Sequence, residues 1–395
     1  MARPRSLREY AEAMGIAAPE LASAEADGTL GLLIVEQTMA AEQGRYTAEE
    51  VAERSGLGPD ARRFWRALGF PEPESGERVF SEADLEAMEL LGTMLRLELL
   101  DDVLALQLVR VMGSAMQRVA QSQIDAIEAR IDADVQGEGE ALAVERARML
   151  LPTVPRMLEY TWRRHLESAA RRRMVREHLA TDERGLVGQH ARAVGFADLV
   201  NFVSLSQEVD DATLAAIVDR FETIAYDIVG RHRGRVVKMI GDEVMFEVAD
   251  PAAAVEIGLG LADAFHNDDM VSDVRVGIAL GPALAREGDL YGPTVNLAAR
   301  LEAMAYAGAV VVSDEVRKAL AGDARFRWKT LRTRTLKHIG RVQVHNVRWA
   351  DDTNESMAER ARRRRGVLKV KVSDLVEKNL PTLAATVRPG GDEEE

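Results

Sequence analysis

The stretch VVKMIGDEVMF, Val236 to Phe246, decides how the rest of the chain is read. Two short runs rich in β-branched and bulky apolar residues flank Gly241 and Asp242, the pattern of a tight β-hairpin. Lys238, Asp242 and Glu243 gather around its tip, where a purely structural hairpin has little need of charge. The glycine lets the backbone turn, and the carboxylate beside it projects from the end of two rigid strands, a placement suited to holding a metal ion. A solvated surface turn would carry the same letters, so the neighbouring segments must decide between the two.

Outward from the hairpin, the chain alternates between strand and helix. HARAVGFADL reads as a strand ending at Asp198. Asp211 to His232 reads as a long amphipathic helix, with Leu214, Ile217, Phe221, Ile224 and Ile228 on one face. After the hairpin come a helix from Pro251 to about His266 and a strand, DVRVGIAL. The order β-α-β-β-α-β is the ferredoxin-like split motif. It brings the first strand and the hairpin close in one sheet, so Asp198 and Asp242 are expected to share a site.

Three segments then carry a resemblance: FADLVNF (196–202), VKMIGDEVMF (237–246) and DLYGPTVNLAARLE (289–302). Together and in order they resemble the signature blocks of class III nucleotidyl cyclases, over about residues 186 to 350. The resemblance implies attack of a ribose 3′-hydroxyl on the α-phosphorus of a nucleoside triphosphate, with loss of pyrophosphate. Two divalent cations, Mg²⁺ or Mn²⁺, acidify the hydroxyl and neutralise phosphate charge in such chemistry. Asp198 and Asp242 match the family's metal carboxylates, and hard oxygen donors suit those ions. Lys238 and Asp289 fall at the base-reading positions. A lysine and an aspartate complement the N1 acceptor and 6-amino donor of adenine, so ATP is expected over GTP. Asn296 and Arg300, four apart on one helix face, match the ribose-orienting and transition-state residues. Within the family the first pair and the last two pairs come from different catalytic domains. One chain holding all six residues implies a head-to-tail homodimer with two shared sites.

The sequence departs from the family at Asn201 and Val203, where glycine and threonine are common. The late Leu-Lys-Gly element reads LKHIG, with His338 in place of glycine, and makes Lys337 a candidate triphosphate contact. A diguanylate cyclase would need a second glycine where Ile240 stands. A guanylate cyclase is disfavoured by the Lys238 and Asp289 pair. The reading from a different class is a transcription regulator whose cyclase-like domain senses nucleotide without turnover.

The remainder divides into a helical regulatory domain (1–150), a transducing linker helix (151–185) and a tail (351–395), giving an α+β protein with the catalytic domain at 186–350. Thr47 with Glu50 and Ser81 with Asp84 read as capping boxes. The segment near residues 46–95 resembles the helix-turn-helix opening of MerR-type regulators, which would place Arg62, Arg63 and Arg66 in a DNA groove. Acidic residues surround it and the net charge is −14, so nucleic-acid binding is not expected. In the linker, Leu158, Trp162, Leu166 and Ala169 form an apolar stripe able to pair with a copy of itself. The absence of cysteine excludes disulfides and thiolate zinc sites. Arg3 and Arg5 precede polar residues, not an apolar core, and no apolar run is long enough to span a bilayer, so a cytoplasmic location is expected. Soluble actinobacterial cyclases with helical N-terminal halves respond to pH and, in some cases, to fatty acids. The same kinds of signal are expected at this N-terminal domain. All seven histidines lie at or after His165, so a histidine switch would rest on His165, His178 and His190 near the junction.

Overall fold

The computed structural model describes residues 7–39, 44–132, 149–180, 191–268, 270–336 and 339–351. The chain divides into two compact units, Met1–Glu167 and Ser168–Glu395. No helix among the described residues is long and apolar enough to cross a membrane.

The first unit is helical: α1 (Leu7–Ala13), α2 (Ala18–Asp27), α3 (Leu30–Met39), α4 (Ala48–Arg54), α5 (Asp60–Ala67), α6 (Glu82–Arg96) and α7 (Asp102–Asp132). Both expected capping boxes are present, with Thr47 accepting from the Glu50 N–H and Ser81 from the Asp84 N–H. Val51, Phe64, Phe80, Leu85 and Met88 form a core among α4, α5 and α6. The arginines of α5 are held by carboxylates: Arg62 by Glu49 (2.7 Å) and Glu72 (3.2 Å), Arg66 by Glu72 and Arg63 by Asp60. The long linker helix, α8 (Val154–Ala180), contains the division between the two units. Trp162 and Leu166 of its apolar stripe are exposed, as is His165. The side chain of His178 lies outside the described residues, as do His190, Lys337 and the tail beyond residue 351.

The second unit is built on a seven-stranded sheet. Its strands are β1 (Ala191–Leu199), β2 (Arg235–Ile240), β3 (Glu243–Val248), β4 (Val274–Pro282), β7 (Val310–Ser313), β8 (Phe326–Thr330) and β11 (Val344–Trp349). The order β2-β3-β1-β4 is the ferredoxin-like arrangement expected from the sequence, all antiparallel. Beyond it β7 joins β4 in parallel, followed by β11 and β8, an extension that the sequence reading did not foresee. Short hairpins, β5 (Leu284–Arg286) with β6 (Asp289–Tyr291) and β9 (Arg334–Leu336) with β10 (Gly340–Val342), lie outside the main sheet.

Each face of the sheet buries a separate core. Against one pack the helices α10 (Asp211–Arg231) and α11 (Pro251–Asn267), with Phe221, Ile228, Ile257 and Phe265 meeting Val244, Phe246, Val276 and Ile278. These two helices follow the short α9 (Phe202–Ser206) in the chain. Against the other face lies α12 (Pro293–Met304), through Ala298 and Leu301 on Val194, Phe196, Met245 and Ala279. Two glycines set these contacts. A Cβ on Gly195 would sit 2.1 Å from the Phe246 ring. A Cβ on Gly277 would sit 2.0 Å from the Glu302 backbone nitrogen and 2.4 Å from the Ala298 carbonyl oxygen, so α12 rides directly on β4.

Candidate active site

Strand alternation puts the chemistry on the α12 side. Asp198 pairs in register with Glu243 on β3 and with Arg275 on β4, so the three side chains form one cross-strand row. They share the face of Phe196, Met245 and Ala279. Beside this row the chain turns at Gly241 and Asp242, a two-residue loop closing the Ile240–Glu243 pair. Gly241 has φ 63° and Asp242 is not among the positive-φ residues, the pattern of a type II′ turn. The turn is pinned to β1 by the Leu199 N–H, which donates to the Asp242 carbonyl at 3.1 Å.

The structure therefore brings Asp198 and Asp242 together. Burial pushes the Asp242 carboxyl above its ordinary value, and the neighbouring Asp198 adds to the rise. Glu243 is pushed to about 7 by burial and by both aspartates. Arg275 is the counter-charge: its Nε donates to Asp198 at 3.0 Å and its Nη2 donates to the same oxygen. The Arg275 Nε also lies 2.7 Å from Glu302 Oε1, an ionic contact without the alignment of a hydrogen bond. Burial alone would lower the guanidinium's pKa, but Asp198 and Glu302 more than offset it. Glu302, on the buried face of α12, is itself pushed to about 7, chiefly by burial.

Lys238 reaches the same face by an irregularity. The register of β2 on β3 shifts between Val236 and Lys238, so Val236 opposes Phe246 while Lys238 opposes Met245. Such a bulge moves the residues that follow it to the opposite face. The Lys238 ammonium then donates to Asp289 Oδ2 at 2.6 Å, joining the two candidate base-reading residues. Burial raises the Asp289 carboxyl, but hydrogen bonds from Lys238 and the Leu290 N–H outweigh it and hold the group below its usual range.

Asn296 and Arg300 are exposed on α12, on one face as their spacing requires. Among the described hydrogen bonds and ion pairs, neither reaches the aspartates or the Lys238–Asp289 pair of its own chain. Asn201 has φ 66°, left-handed backbone that a residue with a short polar side chain tolerates where most others do not. Arg275, Glu302 and the anchors of β2 were missed by sequence reasoning. The available signal was a charged residue inside DVRVGIAL, flanked on both sides by buried valines.

Among the described residues, no three His, Cys, Asp or Glu side chains are grouped to hold a metal ion. A pair of converging carboxylates is nevertheless a fitting donor set for Mg²⁺, which keeps several waters and takes further oxygens from a substrate's phosphates. The raised values at Asp242 and Glu243 mark negative charge that a cation would relieve.

Residues 189–349 match the adenylate and guanylate cyclase catalytic domain family. Along most of its length the chain is similar to an adenylate cyclase of Glutamicibacter nicotianae, 34% identical over 331 residues that cover 79% of this chain and 81% of the relative. It is 37% identical to an adenylate cyclase of Streptomyces griseus, over 70% of this chain and 68% of that one. A pH-sensitive adenylate cyclase of Mycobacterium tuberculosis is 30% identical over 80% of this chain and 82% of its own. The chain belongs to the class III adenylate cyclase family.

Proposed function

We propose that the chain converts ATP to 3′,5′-cyclic AMP and pyrophosphate as a head-to-tail homodimer. The observation that carries this reading is that one chain holds both half-sites, Asp198 with Asp242 at the hairpin tip and Lys238 hydrogen-bonded to Asp289. A head-to-tail dimer would set the carboxylate pair of one chain, to hold divalent cations, opposite the lysine–aspartate pair of the other, to read a purine edge. Asp198 and Asp242 would hold Mg²⁺ or Mn²⁺, which when bound acidifies the 3′-hydroxyl and neutralises phosphate charge. Lys238 donates to adenine N1 and Asp289 accepts from the 6-amino group, so their present ion pair opens to admit the base. Asn296 orients the ribose, and the Arg300 fork meets charge building on the α-phosphate. Arg275, which here binds Asp198, would add positive charge beside the aspartates. Lys337 is proposed as a triphosphate contact from its place in the motif alone.

Exposure of Asn296 and Arg300, which among the described hydrogen bonds and ion pairs do not reach Asp198 or Asp242, supports their service to a partner's aspartates. The exposed Trp162 and Leu166 stripe on α8 supports a pairing surface in the same dimer. We read the helical unit as regulatory, with a pH response resting on histidines of the linker and second unit or on carboxylates among the helices. A cleft of about 570 Å³ between α2 and α3 is the candidate lipid site in that unit. Leu32, Leu33, Val35 and Ile124 suit an acyl chain, while Glu20, Asp27 and Glu36 disfavour a carboxylate headgroup. The carboxylates that hold Arg62, Arg63 and Arg66 argue against DNA as the partner of α5.

The test is product formation by the full-length chain from ATP or GTP with Mg²⁺ or Mn²⁺. Cyclic AMP from ATP, lost in Asp242→Ala, is expected; bound nucleotide without cyclic product would overturn the reading. Mixing the inactive Asp242→Ala and Arg300→Ala chains should restore about a quarter of wild-type activity, since half the random dimers keep one intact site. No restoration would place the whole site within one chain.

A further inference from the structure

Behind the Lys238–Asp289 pair stands a second set of charges that the reaction itself does not require. The Arg235 Nε donates to Glu247 Oε1 at 2.8 Å, and its Nη1 donates to the Gly288 carbonyl at 2.8 Å. The other oxygen of Glu247 accepts from Arg192 Nη1 at 2.5 Å. The Glu247 side chain is only 6% exposed and that of Arg192 11% exposed, so this is a desolvated network and not a surface pair. Burial pushes the Glu247 carboxyl up, and the two guanidinium groups outweigh it and keep the group ionised below its ordinary range. Arg172, near the end of α8 within the same unit, also feels this cluster: burial and the nearby Arg235 lower its pKa.

Gly288 lies in the turn of the β5–β6 hairpin, immediately before Asp289. That turn strains one residue, Glu287, since positive φ costs the glycine nothing. Glu287 has φ 53° and Gly288 φ 82°, two successive left-handed residues, in a hairpin with strands of three residues each. A two-stranded ribbon so short is not stable by itself. The ion pair to Lys238 cannot fix it, because that lysine is 41% exposed and exposed pairs contribute little. Leu290 anchors β6 in the core beneath α12, and among the described residues Arg235 alone joins β2 to the turn itself from a buried anchor. It can do so because of the bulge: Arg235 and Lys238 are three apart, a spacing that in a regular strand places side chains on opposite faces. The shift at Val236–Lys238 puts both on the α12 side.

We propose that Arg235 is a positioning residue for purine recognition: braced by Glu247 and Arg192, it fixes the β5–β6 turn at Gly288 and so sets Asp289 at the distance from Lys238 that fits adenine. This rests on the reading of Lys238 and Asp289 as the base-contacting pair. Arg235 touches no reacting atom. Its loss should therefore alter which base is accepted and how tightly, more than the rate of a correctly bound substrate.

The experiment compares kcat and KM for ATP and for GTP in the full-length protein. Arg235→Lys keeps the charge that Glu247 needs but cannot bridge the carboxylate and the carbonyl together. It should lower the ATP-over-GTP ratio in kcat/KM about tenfold, mainly through KM for ATP, with kcat for ATP within about twofold. Glu247→Asp, which keeps the buried charge but shortens its reach, reads the same ratio with Arg235 left in place, and covers the case in which Arg235→Lys does not fold. Asp289→Asn is the control. If it lowers the ratio while neither network variant does, the base reading stands and the positioning proposal is overturned. If none of the three moves the ratio, the base reading falls and the proposal falls with it. A loss of kcat and melting temperature at an unchanged ratio marks a merely structural network and overturns the proposal as well.

Discussion

Adding one methyl group at Gly277 should disable the site without touching any of its polar atoms. The Cβ of Gly277→Ala would lie 2.0 Å from the Glu302 nitrogen, 2.4 Å from the Ala298 oxygen and 2.7 Å from the Glu302 Cα. All three are backbone atoms of α12, so no side chain can swing aside. Ordinary contact begins near 3.4 Å, and the helix must therefore retreat from β4 by more than 1 Å. Overpacking of this kind costs roughly 1–3 kcal/mol. The catalytic loss should be larger, because α12 carries Asn296, Arg300 and Glu302, and a misplacement of about 1 Å can cost ~100-fold in rate. The assay is thermal unfolding followed by cyclic AMP production at saturating ATP. A folded variant with a modestly lowered melting temperature and a kcat reduced by about 10- to 100-fold is expected. Wild-type kcat in Gly277→Ala would show that the helix position does not set the chemistry and would refute the reasoning.

Glu247 gives a pH dependence of definite sign. Its folded-state pKa lies below the ordinary value of 4.5, so its contribution is present above that pH and is lost as pH falls through the folded value. At neutral pH Glu247→Gln should cost about 3–5 kcal/mol, because two guanidinium groups lose a buried partner. The gap in melting temperature between wild type and variant should narrow below about pH 4.5; a gap that stays constant down to pH 3.5 contradicts this account. In the helical unit, Thr47→Ala removes the acceptor for the Glu50 N–H, which is bound at 3.3 Å. It should destabilise that unit by about 1 kcal/mol in denaturant titration, and Thr47→Ser should recover most of it. An unchanged midpoint in Thr47→Ala would mean that the first turn of α4 is held by packing alone.

What could be read beforehand, and what could not, follows from the range of the interactions involved. The hairpin was legible because Gly241-Asp242 between β-branched runs is a local signal, and the capping boxes at Thr47 and Ser81 are equally local. The approach of Asp198 to Asp242 is long-range, yet the order of elements determined it once βαββαβ was recognised. Arg275 was visible only as an arginine among valines. Its pairing with both Asp198 and Glu302 depends on the strand register and on how closely Gly277 lets α12 approach, neither of which has a sequence period. The strands β7, β8 and β11 were missed for a related reason: their pairing partners are distant in the chain, and the split motif is already complete without them.

The shift at Val236–Lys238 has a consequence for how this hairpin can change over time. It works as a phase marker: residues before it and after it count their alternation from different origins. Substitutions on either side are ordinary point changes and can be absorbed one by one. Loss of the single extra residue, Val237, is different in kind: Val236 and Lys238 would become neighbours opposite Phe246 and Met245, each keeping its face, and the shift itself would be gone. Purine choice and metal binding, written four residues apart on one strand and its turn, would thus stay in step through that change in length, because the ladder from Lys238 to the tip is regular.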